Sequence, residues 1–222
     1  MITMDSHVFT KPFAIFDMDG TLVDSMGCWN DVNLQYLASK GVTINKSIEA
    51  LMATTAHMTT NESAALLCDL YLPHISTQEV ADSLNARMET LYRTQIQEKP
   101  GIRAYIEQLK REDVRMCVVS SSPDLLIRAC LDRLDLTHFF LFILSSEEVG
   151  QGKSDPAVYL YAAKRLGADP SEIAVYEDSL TALKTAKKAG FYTVAVYDQS
   201  AAQDWEKARE LADAAVSDWR DL

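Results

Sequence analysis

Apolar positions along this chain follow two different rhythms. From about residue 101 onward, short β-branched or aromatic runs alternate with amphipathic segments, the pattern of a parallel sheet wound with helices. The runs predict strands at Phe13–Phe16, Arg115–Val119, Phe140–Leu144, Ile173–Tyr176, Tyr192–Val196 and, more briefly, Ala214–Val216. Helix punctuation agrees with them. Asp155 is a suitable N-cap with Pro156 at the first helical position, and Gly167 can close that helix; Ser179 and Gly190 bracket the next one in the same way.

Between residues 25 and 97 the rhythm changes to helical spacing, over Trp29–Ser39, Glu62–Tyr71 and Gln78–Tyr92, with no convincing strand. Leu34, Leu37 and the set Leu66, Leu67 and Leu70 fall where an inward apolar face would place them. The expected fold is therefore α/β, a Rossmann-like doubly wound parallel sheet built from residues 1–24 and 98–222, with a helical domain inserted as residues 25–97. Both hinges of such an insertion lie next to the end of the first strand.

That strand end carries the chemistry. Asp17-Met18-Asp19-Gly20-Thr21 directly follows Phe13-Ala14-Ile15-Phe16, so two carboxylates emerge where ligands bind in open α/β sheets, beyond the carboxyl ends of the strands. A calcium loop also spaces aspartates at i and i+2, but it needs glycine sixth and glutamate twelfth; here Gly20 is fourth and Cys28 is twelfth. Asp19-Gly20 alone would equally suit a simple turn.

The segment Asp17 to Ser25 resembles the first motif of the haloacid dehalogenase superfamily, and three later segments resemble its other motifs in the right order. The second is the strand Met116 to Val119 ending in Ser120-Ser121, the third is Lys153 ahead of Ser154-Asp155-Pro156, and the fourth is Glu177-Asp178 closing a strand. The resemblance spans nearly the whole chain and is similar to the branch of β-phosphoglucomutases and phosphoglycolate phosphatases, whose helical cap corresponds to the insertion. It implies phosphoryl transfer. Asp17 would be the nucleophile that forms an aspartyl-phosphate. Asp19 would protonate the leaving alcohol and later activate water. Ser120, Ser121 and the backbone N–H groups of Met18 and Asp19 would hold phosphoryl oxygens, while Lys153 would neutralise both phosphate and Asp17. Magnesium is the implied cofactor, with Asp17, the Asp19 carbonyl and Asp178 as ligands and Glu177 as a further ligand or a partner of bound water.

Single positions separate branches of the superfamily. An acid at Asp19 favours phosphate chemistry over dehalogenation, and the apolar runs are too short for an ion pump. The Schiff-base lysine of phosphonoacetaldehyde hydrolases has only Lys40 and Lys46 as cap counterparts, and both read as solvated. The nearest competitor is a phosphomutase, but its cap histidine falls at Trp29 and its phosphate-binding arginine falls near Thr60. The expected activity is a magnesium-dependent phosphomonoester hydrolase acting on a small phosphorylated metabolite such as a sugar phosphate. A phosphomutase and a non-catalytic binding protein of the same fold are the alternatives. Trp29, His57, Met58, Thr59, Thr60 and Asn61 are the candidate selectors of substrate.

Composition changes the picture little. A net charge of −11 argues against nucleic acid or an anionic membrane as partner, and it requires local positive charge wherever a phosphate is to bind. No apolar run reaches the roughly 18 residues of a membrane span, and no signal-peptide pattern is seen. Cys28, Cys68, Cys117 and Cys130 are widely spaced and read as reduced packing thiols. A cytoplasmic monomer is expected.

Overall fold

The computed structural model describes residues 11–53, 55 and 58–222. Among them, β1 (Phe13–Phe16), β2 (Arg115–Ser120), β3 (Ile143–Ser145), β4 (Ile173–Glu177), β5 (Tyr192–Val196) and β6 (Ala214–Val216) form a single parallel sheet in the order β3-β2-β1-β4-β5-β6. The chain builds outward from β1 in both directions. Phe16 is in register with Val118 of β2 and with Tyr176 of β4, so the carboxyl ends of these three strands open onto one crevice, the switch point of the sheet.

Both faces of the sheet are covered, which explains why its strands are almost continuously apolar. Alternation along β1 sends Ile15 to one side, where it packs with Cys117, Val119, Val158 and Ala186, and sends Ala14 and Phe16 to the other, with Met116, Val118, Tyr105 and Ile106. Helices α5 (Ile102–Arg111) and α6 (Asp124–Arg133) supply the second face; α8 (Ala157–Leu166) and α9 (Leu180–Lys188) supply the first. Two short helices, α7 (Ser146–Val149) and α10 (Trp205–Leu211), flank them. Beneath the first loop, Phe16 stacks on Tyr176 at 4.4 Å, and Trp219 packs on both rings while donating from Nε1 to the Thr21 carbonyl at 3.2 Å.

The stretch between β1 and α5 is helical, with α1 (Met26–Ser39), α2 (Lys46–Ala53), α3 (Thr60–Tyr71) and α4 (Thr77–Thr94). The chain leaves and re-enters the sheet side by side: Asp24 N donates to Gln97 O at 3.0 Å and Lys99 N to Leu22 O at 2.9 Å. Buried Leu37, Leu67, Leu84 and Met88 from these helices join the same apolar cluster as Phe16 and Val118. No helix of the described residues is long and apolar enough to cross a membrane.

Several local expectations need correction. β3 begins at Ile143, not Phe140, because Thr137–Phe139 winds into a 3-10 turn and Leu141 is turned to solvent, 52% exposed. β2 and β4 each run one residue further, drawing Ser120 and Glu177 into the ladder opposite Ser145 and Ala195. α8 starts at Ala157, one residue later than expected, and Asp155 Oδ1 accepts from the Ala157 N–H at 2.8 Å. Leu70 lies on the outer face of α3, also 52% exposed. Helix α2 was not anticipated; among its described side chains only Ile48 and Met52 are buried, too few to write a periodic pattern.

Candidate active site

Asp17 is the first residue past β1, fixed by its N–H to the Tyr176 carbonyl at 3.0 Å. Its Oδ1 accepts from Lys153 Nζ, while Oδ2 is buried without a hydrogen-bond partner. Lys153 reaches in from the loop between α7 and α8 and donates a second bond to Glu177 Oε1 at 2.5 Å. Glu177 is held further by the Tyr159 hydroxyl at 3.0 Å and the Ser179 N–H at 3.3 Å. Lys153, Asp17 and Glu177 thus form a buried triad at the end of the central strands, with side chains 5%, 7% and 1% exposed.

Charge in this cluster is unbalanced. Removal from water, opposed by Lys153 and reinforced by Glu177 and Asp19, pushes the Asp17 carboxyl up to about 8. Asp178 is raised well above the usual carboxylate range, chiefly by removal from water and then by the charges of Asp17 and Glu177. Lys153 is also raised: burial would lower it, but Asp17 and Glu177 outweigh burial and keep it cationic. One ammonium facing three carboxylates leaves excess negative charge. A divalent cation would relieve it.

The donor set fits such an ion. Asp17, Glu177 and Asp178 each offer a carboxylate oxygen, and these lie within 4.8 Å of one another. All-oxygen donors suit magnesium, and Asp17 Oδ2 is a buried acceptor without a donor. Gly20 makes room for Asp178. It adopts φ +85°, and a Cβ there would lie 2.2 Å from Asp178 Oδ2.

Asp19 faces a different environment. Its Oδ1 accepts from Ser25 Oγ at 2.5 Å and from the Tyr92 hydroxyl; its Oδ2 accepts from Ser122 Oγ at 2.8 Å and Ser120 Oγ at 3.4 Å. Tyr92 comes from the last turns of α4 and in turn accepts from Trp29 Nε1 at 2.9 Å. Removal from water and the charge of Asp19 raise the Tyr92 hydroxyl well above its ordinary value, so it remains a donor. Core residue Arg133 fixes this end of α4 by donating from Nε to the Tyr92 carbonyl at 2.6 Å and from its guanidinium to the Ile96 carbonyl.

Asp17, Asp19 and Ser122 line one cleft between the sheet and the helical stretch that follows β1. Ser120, Ser121, Lys153, Glu177 and Asp178 lie on its floor, and Trp29, Met58, Thr59 and Thr60 form part of its roof. Asn61 does not line it; the side chain extends to Glu147 Oε1 at 3.4 Å on the far rim. His57 lies outside the described residues. Arg87 lies over the Tyr36 ring and Arg93 pairs with Glu89, both away from the cleft, as does Lys40, which pairs with Glu79. Sequence reasoning included Ser25 in the first motif but gave it no role, and it missed Tyr92, Ser122 and Tyr159. Ser122 stands beside Ser120-Ser121 and could have been flagged by adjacency, but nothing local marks Tyr92 or Tyr159. The cysteines are free, with Cys68, Cys117 and Cys130 buried; burial raises the Cys117 thiol and pushes that of Cys130 up to about 12, consistent with packing roles.

Residues 14–196 match the family model for haloacid dehalogenase-like hydrolases. The chain is 30% identical over 214 residues to hexitol phosphatase B of Escherichia coli strain K12, covering 94% of this chain and 93% of that protein. It is 27% identical over 176 residues to a phosphorylated carbohydrates phosphatase of Thermotoga maritima, covering 79% and 80%. In fold it superposes on the phosphate complex of CbbY from Rhodobacter sphaeroides with a TM-score of 0.82 at 21% identity, over 96% of each chain. The family match over most of the chain, together with the arrangement of carboxylates at the sheet's switch point, makes this protein a member of the haloacid dehalogenase-like hydrolase family.

Proposed function

We propose that this chain is a magnesium-dependent phosphomonoester hydrolase acting on a small phosphorylated metabolite of the sugar-phosphate kind, with Asp17 as nucleophile. The observation that carries this reading is the state of Asp17: one carboxylate oxygen is held by Lys153 and the other is buried and unpartnered within the cluster formed with Glu177 and Asp178. The similarity to a bacterial hexitol phosphatase and a bacterial phosphorylated carbohydrates phosphatase favours the same substrate kind.

Asp17 attacks phosphorus as the ester P–O bond breaks, giving an aspartyl-phosphate, and the departing alkoxide takes a proton from Asp19. Asp19 then removes a proton from water, which attacks the same phosphorus and returns Asp17 as inorganic phosphate leaves. Lys153 offsets phosphoryl charge and holds the attacking carboxylate, while Ser120, Ser121 and the backbone N–H groups of Met18 and Asp19 are the proposed donors to phosphoryl oxygens. Ser25, Ser122 and Tyr92 hold the Asp19 carboxylate in place. Magnesium, held by Asp17, Asp178 and the Asp19 carbonyl with Glu177 alongside, would supply positive charge that lets two anions meet.

Residues 25–97 act in this reading as a cap that closes over residues 1–24 and 98–222 and excludes water from the first step. The working form is a cytoplasmic monomer.

Hydrolysis is favoured over phosphomutation by the cap's charge. A mutase must grip a second phosphate through a cationic fork, and among the described residues of the cap none that lines the cleft is charged. Incubation with β-glucose 1-phosphate and a trace of the 1,6-bisphosphate tests this. Any turnover should yield inorganic phosphate with negligible glucose 6-phosphate, whereas isomerisation without phosphate release would overturn the hydrolase assignment.

A further inference from the structure

The cap wall of the cleft carries Asn30, Asn33, Thr55, Thr59, Thr60 and Ser63, all polar and all uncharged. They are not equivalent. Thr55 Oγ1 donates to the Met52 carbonyl at 2.8 Å, and Thr59 Oγ1 serves the N-terminus of α3, accepting from Glu62 N at 3.2 Å and bonding to its carboxylate. Those hydroxyls are committed to holding the cap together. Asn33 Oδ1 and Ser63 Oγ are not: both are buried at the cleft, in residues only 3% and 7% exposed, and neither has a hydrogen-bond partner. Buried polar atoms are nearly always paired because leaving one unpaired forfeits its hydration, so two of them in one wall call for an explanation.

The geometry points to Asn33 and Ser63 as the specificity subsite of the cleft, one that takes a neutral hydroxyl of a polyol or sugar phosphate while the phosphoryl end lies at Asp17. An amide oxygen can only accept, so the group that satisfies Asn33 Oδ1 must donate a proton. A hydroxyl does so, and Ser63 can then accept from or donate to a neighbouring hydroxyl. A carboxylate or a second phosphate oxygen brings no proton at neutral pH and would set like-signed atoms against Asn33 Oδ1. The subsite therefore selects hydroxylated monophosphates over phosphorylated carboxylic acids, by leaving the wrong ligand's partners unpaired. Asn33 faces inward because α1 turns it to the same side as buried Met26 and Tyr36, and Ser63 lies one turn into α3 beside buried Ala64 and Leu67.

This inference rests on the hydrolase reading, and the experiment separates the two. Phosphate release is measured with magnesium from sorbitol 6-phosphate, phosphoglycolate and 4-nitrophenyl phosphate, for wild type, Asn33→Leu and Ser63→Ala, with thermal melting as a check that each variant is folded. Wild type should favour sorbitol 6-phosphate over phosphoglycolate in kcat/KM by about 10-fold or more, the order set by one unpaired buried group. Asn33→Leu should lower the ratio of kcat/KM for sorbitol 6-phosphate to that for 4-nitrophenyl phosphate by about 10-fold, mainly through KM. The milder Ser63→Ala, which leaves α3 undisturbed, should lower it about 5-fold. Release from 4-nitrophenyl phosphate with an unchanged ratio in Ser63→Ala and in a folded Asn33→Leu, or a wild-type preference for phosphoglycolate, would overturn the subsite alone. Release from none of the three would overturn the hydrolase reading and the subsite with it.

Discussion

Gly20 shows how much the site asks of a single residue. Its φ of +85° is a region L side chains rarely adopt, and a Cβ there would fall 2.2 Å from Asp178 Oδ2 and 2.8 Å from its Cγ. Gly20→Ala should therefore force Asp178 out of the acidic cluster and strain the turn, at a cost of about 1–3 kcal/mol. In a magnesium titration of activity the variant should need at least about 10-fold more metal than wild type, the equivalent of about 1.4 kcal/mol at the ion; an unchanged requirement would show that Asp178 does not serve the metal. At this scale Asp17, Asp19, Ser120, Glu177 and Asp178 were legible because each stands at or just past a strand end within a contiguous signature, and Lys153 because it precedes a punctuated helix. Tyr92 was not, since it meets Asp19 across 73 residues of chain and only the packing of α4 brings it there. Tyr159, which reaches Glu177 from α8, was hidden in the same way among ordinary core positions of an amphipathic helix. Asn61 was a candidate selector of substrate by its place in the insertion's loop, yet at the start of α3 its side chain donates to Glu147 Oε1 and does not line the cleft.

Helix α4 links the helical stretch after β1 to the loop that carries Asp17 and Asp19, and its C-terminal end is where that link is made. Arg133 donates to the carbonyls of Tyr92 and Ile96, groups at a helix end that have no partner within the helix and lie in buried residues, and its positive charge complements the helix dipole there. Arg133→Ala should destabilise the protein by about 1–3 kcal/mol through those buried carbonyls. It should also lower kcat, by releasing the Tyr92 hydroxyl from Asp19. Denaturant unfolding together with steady-state kinetics would check both effects, and a variant that loses stability while keeping full kcat would show that the Tyr92 contact is dispensable. Strands were readable because burial on both faces leaves almost uninterrupted β-branched and aromatic runs. β3 was misplaced by the same logic: Phe140 and Leu141 extend the apolar run, but this edge strand starts only where Ile143 pairs with Val118. Helix α2 escaped notice because it is short and, among its described side chains, only Ile48 and Met52 are buried, which leaves almost no periodic trace.

For the molecule as a whole, the acidic cluster couples metal, pH and stability. Asp17 titrates near 3.8 in an unfolded chain and is pushed up to about 8 when folded, so between those values the metal-free native state binds more protons than the unfolded state. Stability contributed by this group is therefore full below the unfolded value and falls as pH rises toward about 8, and Asp178 shifts in the same direction. Magnesium opposes the fall by favouring the ionised carboxylates. The gain in melting temperature from saturating magnesium over chelator should be small at about pH 5 and widen steadily toward about pH 8; a gain independent of pH would contradict a metal site built on Asp17. The overall architecture was legible from sequence because the alternation of strands and helices is set by burial, which the order of apolar and polar positions records. The seating of α1 to α4 against the end of β1 was not, since it depends on contacts such as Trp29–Tyr92–Asp19 that no local pattern encodes. The central claim, that phosphate passes through Asp17, is tested most directly by acid-quenching the enzyme during turnover of a phosphomonoester with magnesium and mapping the peptides by mass spectrometry. A phosphoryl increment on the peptide containing Asp17, lost on hydroxylamine treatment and absent from a folded Asp17→Asn variant that releases no phosphate, is the predicted result; a phosphoenzyme that persists in Asp17→Asn, or undiminished phosphate release by that variant, would contradict it.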